Sequence, residues 1–210
     1  MNGSDRVGNF EISQYSKFRK DIEIVTNEGW RKRTAHAILE IDVTVAREKI
    51  KKIKEKTNEK ISFTGWIIKC VSESMTKHKR LNSYRLGRNK IVTFDDVDVA
   101  IPVEKKTDKE VRPRVYIVRK ANEKTVFDIT KEIRKVQKQN VENKTELLGE
   151  DESKFENFVL SLPVFIKKIL IRFIRRKGLF KKKYMGSTAV TAIGMKGNFK
   201  WLVVPHRGTT

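Results

Sequence analysis

The chain of 210 residues is long enough for one well-buried domain and marginal for two. Its 47 Lys and Arg against 26 Asp and Glu leave a formal +21 and a pI near 10.1, a field that attracts polyanions of any kind: nucleic acid, anionic lipid or phosphorylated ligands. A single cysteine, Cys70, excludes a disulfide framework and a cysteine-based metal site, and no metal is expected.

The opening "MNGSDRVGNFEIS" lacks the apolar core of a signal peptide. The longest apolar stretch, "FVLSLPVFI", stops at Lys167 and Lys168, short of the ~20 apolar residues that a membrane span needs. A soluble, cytoplasmic protein is expected. The first periodic segment, "HAILEIDVTV" from His36 to Val45, alternates Ile38, Glu40 and Asp42 with Leu39, Ile41 and Val43, the period-2 signal of a strand. The lysine-rich "AREKIKKIKEK" then places Ala46, Ile50 and Ile53 on one helical face. In "SFTGWIIKCVSESMTKHK" the spacing predicts a second helix, with Phe63, Trp66, Ile67, Cys70, Val71 and Met75 as its core stripe. Cys70 is thereby expected in the core, and His78, in "TKHKR", in solvent.

Farther on, "DVDVAIPV" predicts a strand with Val97, Val99, Ile101 and Val103 on one side, and "VRPRVYIVR" a second strand whose Pro113 suits an edge or an entry position. "TVFDITKEIRKVQ" reads as a helix opening on a Thr125–Asp128 capping box, with Val126, Ile129, Ile133 and Val136 inward. A polar stretch from Gln137 to Glu156 has the composition of a linker. In "FVLSLPVFIKKILIRFIRRKGLFKKK", Pro163 suits a first helical turn and Gly178 a stop. Ile166, Ile169, Leu170 and Phe173 share one face of this helix, and Lys168, Arg172, Arg175 and Arg176 another. From Lys154 to Lys183 there are ten bases and one acid, so nearly half of the net charge sits in one-seventh of the chain. "STAVTAI" and "WLVV" complete the pattern as strands. Strands and helices mix without a regular βαβ rhythm, which places the chain in the α+β class.

Taken in order, "RKRTAHAILEIDVT", "ISFTGWIIKCVSESMTKHKRLNSY", "VDVAIPVE", "VRPRVYIVRKANEKTVFDITKEI" and "GSTAVTAIGMKG" resemble the catalytic domain of the acyltransferases of 2-oxo acid dehydrogenase complexes, a family that shares the chloramphenicol acetyltransferase fold. The resemblance runs over about residues 30–200 and implies a mixed sheet with flanking helices. It implies a 1–29 N-terminal extension, a 30–210 catalytic domain incomplete at its C-terminus, and a basic helical insertion at about 141–185. It also implies transfer of an acyl group between coenzyme A and a thiol or similar acceptor, in a homotrimer served by a partner's lipoyl group, this chain carrying no covalent lipoyl.

Such chemistry needs a base, because the thiolate is the nucleophile and a free thiol with a pKa of ~8.5 is mostly protonated. It also needs a donor to the oxyanion of the tetrahedral intermediate. Aligning Gly186 and Gly194 with the family's G-T-F-T-I-S-N-x-G strand puts Thr191 at the donor position and Ala192 where the family has Asn. His36 matches a histidine that the family often carries before its E-x-D-V-T strand, either lining the substrate channel or structural, and Asn82 matches a structural Asn in an L-N pair. The family's base stands in H-x-x-x-D-G. In "PHRGTT", four residues after His206 stands Thr210, and only 15 residues separate His206 from Thr191 where the family has several strands. His206 is therefore expected to be a mimic, and the chain a truncated or frameshifted product without its C-terminal strands, impaired in activity and poorly behaved alone.

The competing expectation is a non-catalytic scaffold that docks on an anionic membrane surface or a partner through Lys168, Arg172, Arg175 and Arg176, against the plainer alternative of a helix packed on its own domain. Nucleic acid ranks last: Trp30, Trp66 and Trp201 are scattered, and no nucleic-acid-binding motif is present.

Overall fold

A computed structural model describes residues 35–57, 59–106, 111–138, 161–174 and 177–192, with isolated positions at 12–27, 158 and 159. The chain divides into two compact units, Met1–Ala35 with Pro205–Gly208, and His36–Val204 with Thr209–Thr210. Described positions of the first unit include helical residues 19–21, with Ile24 buried. All that follows concerns the second unit.

Its elements run α1 (Thr44–Thr57), α2 (Phe63–Lys77), a 3-10 turn (Lys79–Asn82), β1 (Ser83–Leu86), β2 (Lys90–Thr93), β3 (Val99–Lys106), β4 (Val111–Val118), α3 (Val126–Lys138), α4 (Val164–Ile174), α5 (Gly178–Met185) and β5 (Thr188–Ala189). β1 and β2 form an antiparallel hairpin with Gly87 at positive φ in its turn. β3 lies between β4, antiparallel, and β5, parallel. Mixed helices and small sheets of this kind make an α+β fold, as the irregular order of periodicities predicts.

Strand alternation decides what the three-stranded sheet buries. Val99 and Ile101 of β3 stand opposite Val118 and Tyr116 of β4. With Val97 and Val103 they meet Ile68 and Met75 of α2 and Ile129, Ile133 and Val136 of α3 in one apolar cluster. On the other face Ala100 pairs with Ile117, both buried. Among the described strands β4 lies at one edge of this sheet, where Pro113, in register with Glu104, lacks an N–H to donate. Side-chain caps anchor α2 and α3. Ser62 Oγ accepts the Gly65 N–H at 2.9 Å at the start of α2, and Thr125 and Asp128 exchange side-chain bonds at the start of α3. α3 buries the expected Ile129, Ile133 and Val136, with Val126 half-buried and Thr130 buried as well.

Four expectations are corrected. Residues 36–43 form no strand: Ile38, Leu39 and Ile41 are exposed, and no described strand lies beside them. Their alternation has no ladder to join, and the Asp42 carboxylate accepts the N–H and the hydroxyl of Thr44, at 2.8 and 2.6 Å, which turns the chain into α1 two residues earlier than expected. The α2 stripe is rotated: Gly65, Ile68, Ser72 and Met75 are buried, while Cys70 is exposed. Small Gly65 favours this rotation, since a Cβ there would stand 2.6 Å from Thr130 Oγ1, so α2 approaches α3 closely at Gly65. Gly178 does not stop a helix but opens α5, where a Cβ would stand 2.8 Å from Tyr84 Cβ and 3.0 Å from the Arg85 carbonyl oxygen. Finally, α4 does not bury its apolar face. Lys167 is its buried residue, and Ile169 and Phe173 are exposed. The linker and the "WLVV" strand lie outside the described residues, apart from the α3 end at 137–138.

Across the edge of the core the Tyr116 hydroxyl donates to Glu132 at 2.6 Å, and Lys124 holds the other Glu132 oxygen at 2.6 Å. Burial first, then the Glu132 carboxylate, push the Tyr116 phenol well above its ordinary value of 10.0. In alkali the unfolded chain releases this proton near pH 10 while the folded chain keeps it. The unfolded state then binds fewer protons, and stability falls as pH rises above about 10. Urea unfolding across that range is expected to show a steeper alkaline loss in the wild type than in Tyr116→Phe, the two curves converging as pH increases.

Candidate active site

The residues around β5 are held by one buried polar group. Asp98, the residue before β3, accepts the N–H groups of Ser187 and Thr188 on its backbone oxygen, at 2.6 and 3.3 Å. Its own N–H donates to Ser187 Oγ at 3.1 Å. Two bonds farther along, the Val190 N–H donates to the Ala100 carbonyl at 2.9 Å, so parallel pairing continues to the residue before Thr191. Gly186, at φ +72°, makes this approach possible, because a Cβ there would stand 2.8 Å from the Asp98 carbonyl oxygen. The Tyr84 hydroxyl donates to the Gly186 carbonyl oxygen from β1.

The Asp98 side chain completes the clasp. Oδ2 lies 3.2 Å from Lys182 Nζ and 3.2 Å from Arg119 Nη1, and Oδ1 accepts the Lys120 N–H at 2.9 Å. Lys182 Nζ also donates to Ser187 Oγ at 2.7 Å and to the Asp96 carbonyl oxygen. Arg119 reaches the Lys182 and Lys183 carbonyl oxygens at the end of α5. The Lys182 and Asp98 side chains are only 11% and 8% exposed. Burial pulls the Lys182 ammonium below the ordinary lysine range, and the Asp98 carboxylate draws it back up. Ser187 Oγ sits beside a lysine, but it accepts from both Asp98 N and Lys182 Nζ and is buried, so the pair serves to position the strand rather than to attack.

Thr191 is exposed at the end of this clasped segment, with Ala192 after it. His36 is exposed in the irregular run before α1, and His78 is exposed at the C-cap of α2. Asn82 is buried, and its amide donates to the Phe94 and Asp96 carbonyl oxygens at 2.8 and 2.9 Å, tying the 3-10 turn to the segment that leads into β3. Lys168 and Arg172 are exposed on α4, while Arg175, Arg176 and His206 lie outside the described residues. Among the described residues no three His, Cys, Asp or Glu groups converge as metal ligands. Separately, a groove of about 890 Å3 opens beside α1, with Ile50, Ile53 and Trp66 among its walls and Lys49, Lys69 and Lys124 at its edges. Lys69 and Lys124 are engaged there with Glu73 and Glu132.

The fold and this clasped strand define an α+β domain in which a parallel strand lies on a central strand and ends in an exposed hydroxyl. The chain belongs to the family described as 2-oxoacid dehydrogenases acyltransferase (catalytic domain), whose model matches residues 10–157. That match ends before α4 and Thr191. Among solved structures, the truncated catalytic core of the 2-oxoacid dehydrogenase multienzyme complex from Thermoplasma acidophilum is similar at 20% identity and a TM-score of 0.50, over 60% of this chain and 57% of that one. A probable dihydrolipoamide acetyltransferase from Listeria monocytogenes 4b F2365 aligns at 21% identity and a TM-score of 0.49, over 62% of this chain and 55% of that one. The chain thus aligns with little more than half the length of either structure. No curated protein matches it.

Sequence reasoning did not find the clasp. Asp98 alternates with Val97 and Val99 and so had to leave the core face, but its partner Lys182 lies 84 residues away in a run of three lysines. Lys182→Met keeps the bulk of the side chain and removes its charge and its donors. It is expected to lower stability by about 2–3 kcal/mol, less than the ~3–5 of a fully orphaned buried charge because Arg119 remains on Asp98. Urea unfolding checks this as a lower midpoint at constant slope, and an unchanged midpoint would show that the clasp carries no stability.

Proposed function

We propose that this chain carries the acyl-transfer scaffold of its family: it binds an acyl-coenzyme A and presents Thr191 as the oxyanion donor for transfer to a thiol such as dihydrolipoamide. The observation that supports this most directly is the segment 187–190, bonded in parallel to β3 so that the Thr191 hydroxyl follows at its exposed end. A donor placed on a fixed strand needs no reorganisation when charge develops on the thioester oxygen, and removing one such donor typically costs about 10²–10³ in rate. The groove beside Trp66 has a volume in the range that takes small ligands, and the basic surface suits the coenzyme's phosphates.

Among these 210 residues no histidine stands in the family's H-x-x-x-D-G pattern. None of His36, His78 and His206 is followed four positions on by Asp: those positions hold Glu40, Asn82 and Thr210. Where no base meets it, the attacking thiol stays mostly protonated at neutral pH, so we infer slow turnover by these 210 residues on their own although the thioester binds. In the family's trimeric arrangement a partner's lipoyl group would deliver the acceptor thiol.

Chemical rescue separates binding from the missing base. Acetyl-CoA is expected to bind saturably in calorimetry, with transfer to dihydrolipoamide close to the uncatalysed rate. Added imidazole, as a base, is expected to raise transfer in the wild type, and Thr191→Ala to lower the rescued rate about 10²–10³-fold. Absence of acetyl-CoA binding, or a rescued rate equal in Thr191→Ala, would contradict the proposal. Full transfer without imidazole would contradict the impairment alone.

A further inference from the structure

Helix α4 exposes what a helix of a monomeric domain ordinarily buries. Phe165, Ile169 and Phe173 stand four residues apart and are 65%, 52% and 69% exposed. Residues at that spacing lie on one face, so the three form an apolar row about 12 Å long. Lys167, from the other side of the helix, is buried, which sets the row outward. Lys168 and Arg172, each one residue before a member of the row, are exposed along its flank. In the sequence the cations continue at Arg175, Arg176 and Lys177, within a stretch of ten bases and one acid. The helix itself has 11 residues, and no described helix is long and apolar enough to cross a membrane.

Charge and apolarity together select the occupant. A second copy of the chain on this same face would set the two Lys168 and Arg172 flanks together, like charge against like. Nucleic acid matches the charge but offers no hydrocarbon to Ile169. An anionic bilayer offers both, a hydrocarbon boundary for the row and phosphate headgroups for the flank. We propose that α4 docks this chain on an anionic lipid bilayer, lying in the interface with Phe165, Ile169 and Phe173 toward the acyl chains and Lys168 and Arg172 among the headgroups. Docking uses neither Thr191 nor the Asp98 clasp, so it stands or falls apart from acyl transfer.

Sedimentation with vesicles of phosphatidylcholine, alone or mixed with phosphatidylserine, tests the proposal on the full chain. The chain is expected to sediment with the mixed vesicles, not with phosphatidylcholine alone, and binding to weaken as salt shortens the screening length. Lys168→Ala with Arg172→Ala is expected to lower the partition coefficient about 30-fold, each cation near such a surface contributing about 1 kcal/mol. Phe165→Ser with Ile169→Ser and Phe173→Ser is expected to lower it at least about tenfold, with the urea midpoint unchanged because all three side chains are exposed. Should that variant alter the fold, Phe173→Trp supplies a second reading: the difference between its emission and that of the wild type, which carries Trp30, Trp66 and Trp201, is expected to shift to the blue only with mixed vesicles. Three results would overturn the proposal: equal binding to both vesicle types or none, wild-type binding by a folded triple-serine variant, or no blue shift. Binding of duplex RNA that both α4 variants abolish, with vesicle binding absent, would assign the face to nucleic acid instead.

Discussion

Asp98 uses every polar group it has. Its carbonyl oxygen takes two N–H groups from the start of β5, its own N–H reaches the Ser187 hydroxyl, and its carboxylate joins Lys182, Arg119 and the Lys120 N–H. One residue at the mouth of β3 thus gathers the end of β4, the end of α5 and the strand that leads to Thr191. β5 has only two residues in ladder pairing, too few to hold by backbone bonds alone. Because the Lys182 and Asp98 side chains are buried, their mutual attraction is poorly screened by water, and losing one partner leaves an expensive charge behind. Placement of the candidate oxyanion donor therefore depends on a polar cluster, while the apolar core places only the sheet beneath it.

The core itself was readable. Val97, Val99, Ile101 and Val103 alternate strictly, and the sheet buries that set; Ile129, Ile133 and Val136 recur at helical spacing, and α3 buries them. Both cases succeed because one face meets a large apolar partner, so local period and tertiary packing agree. The α2 stripe shows where that agreement ends. Its apolar residues spread over a wide arc, and the buried line runs through two small residues, Gly65, where a Cβ would stand 2.6 Å from Thr130 Oγ1 of α3, and Ser72. Hydrophobicity ranks Cys70 above Ser72, whereas Cys70 is exposed and Ser72 is buried, its hydroxyl bonding back to the Lys69 carbonyl oxygen.

The candidate site could be named only through resemblance. Thr191 is one threonine in a strand-like run, and nothing in its period separates a catalytic hydroxyl from a β-branched strand residue. Lys182 is the middle of three consecutive lysines, and only tertiary structure turns it inward. The segment 36–43 and α4 misled for the same reason: each carries a correct local pattern whose partner surface is not supplied by the described residues of this unit.

Amide hydrogen exchange resolved to single residues tests the dependence of β5 on Asp98 most directly. In the wild type the Ser187 and Val190 amides are expected to exchange slowly, close to the β3–β4 ladder amides. In Asp98→Ala the account predicts a selective loss of protection at Ser187 and Val190 of roughly tenfold or more, with the ladder around Ile101 and Tyr116 unchanged. Unchanged protection at Ser187 and Val190, or an equal loss throughout the sheet, would contradict it.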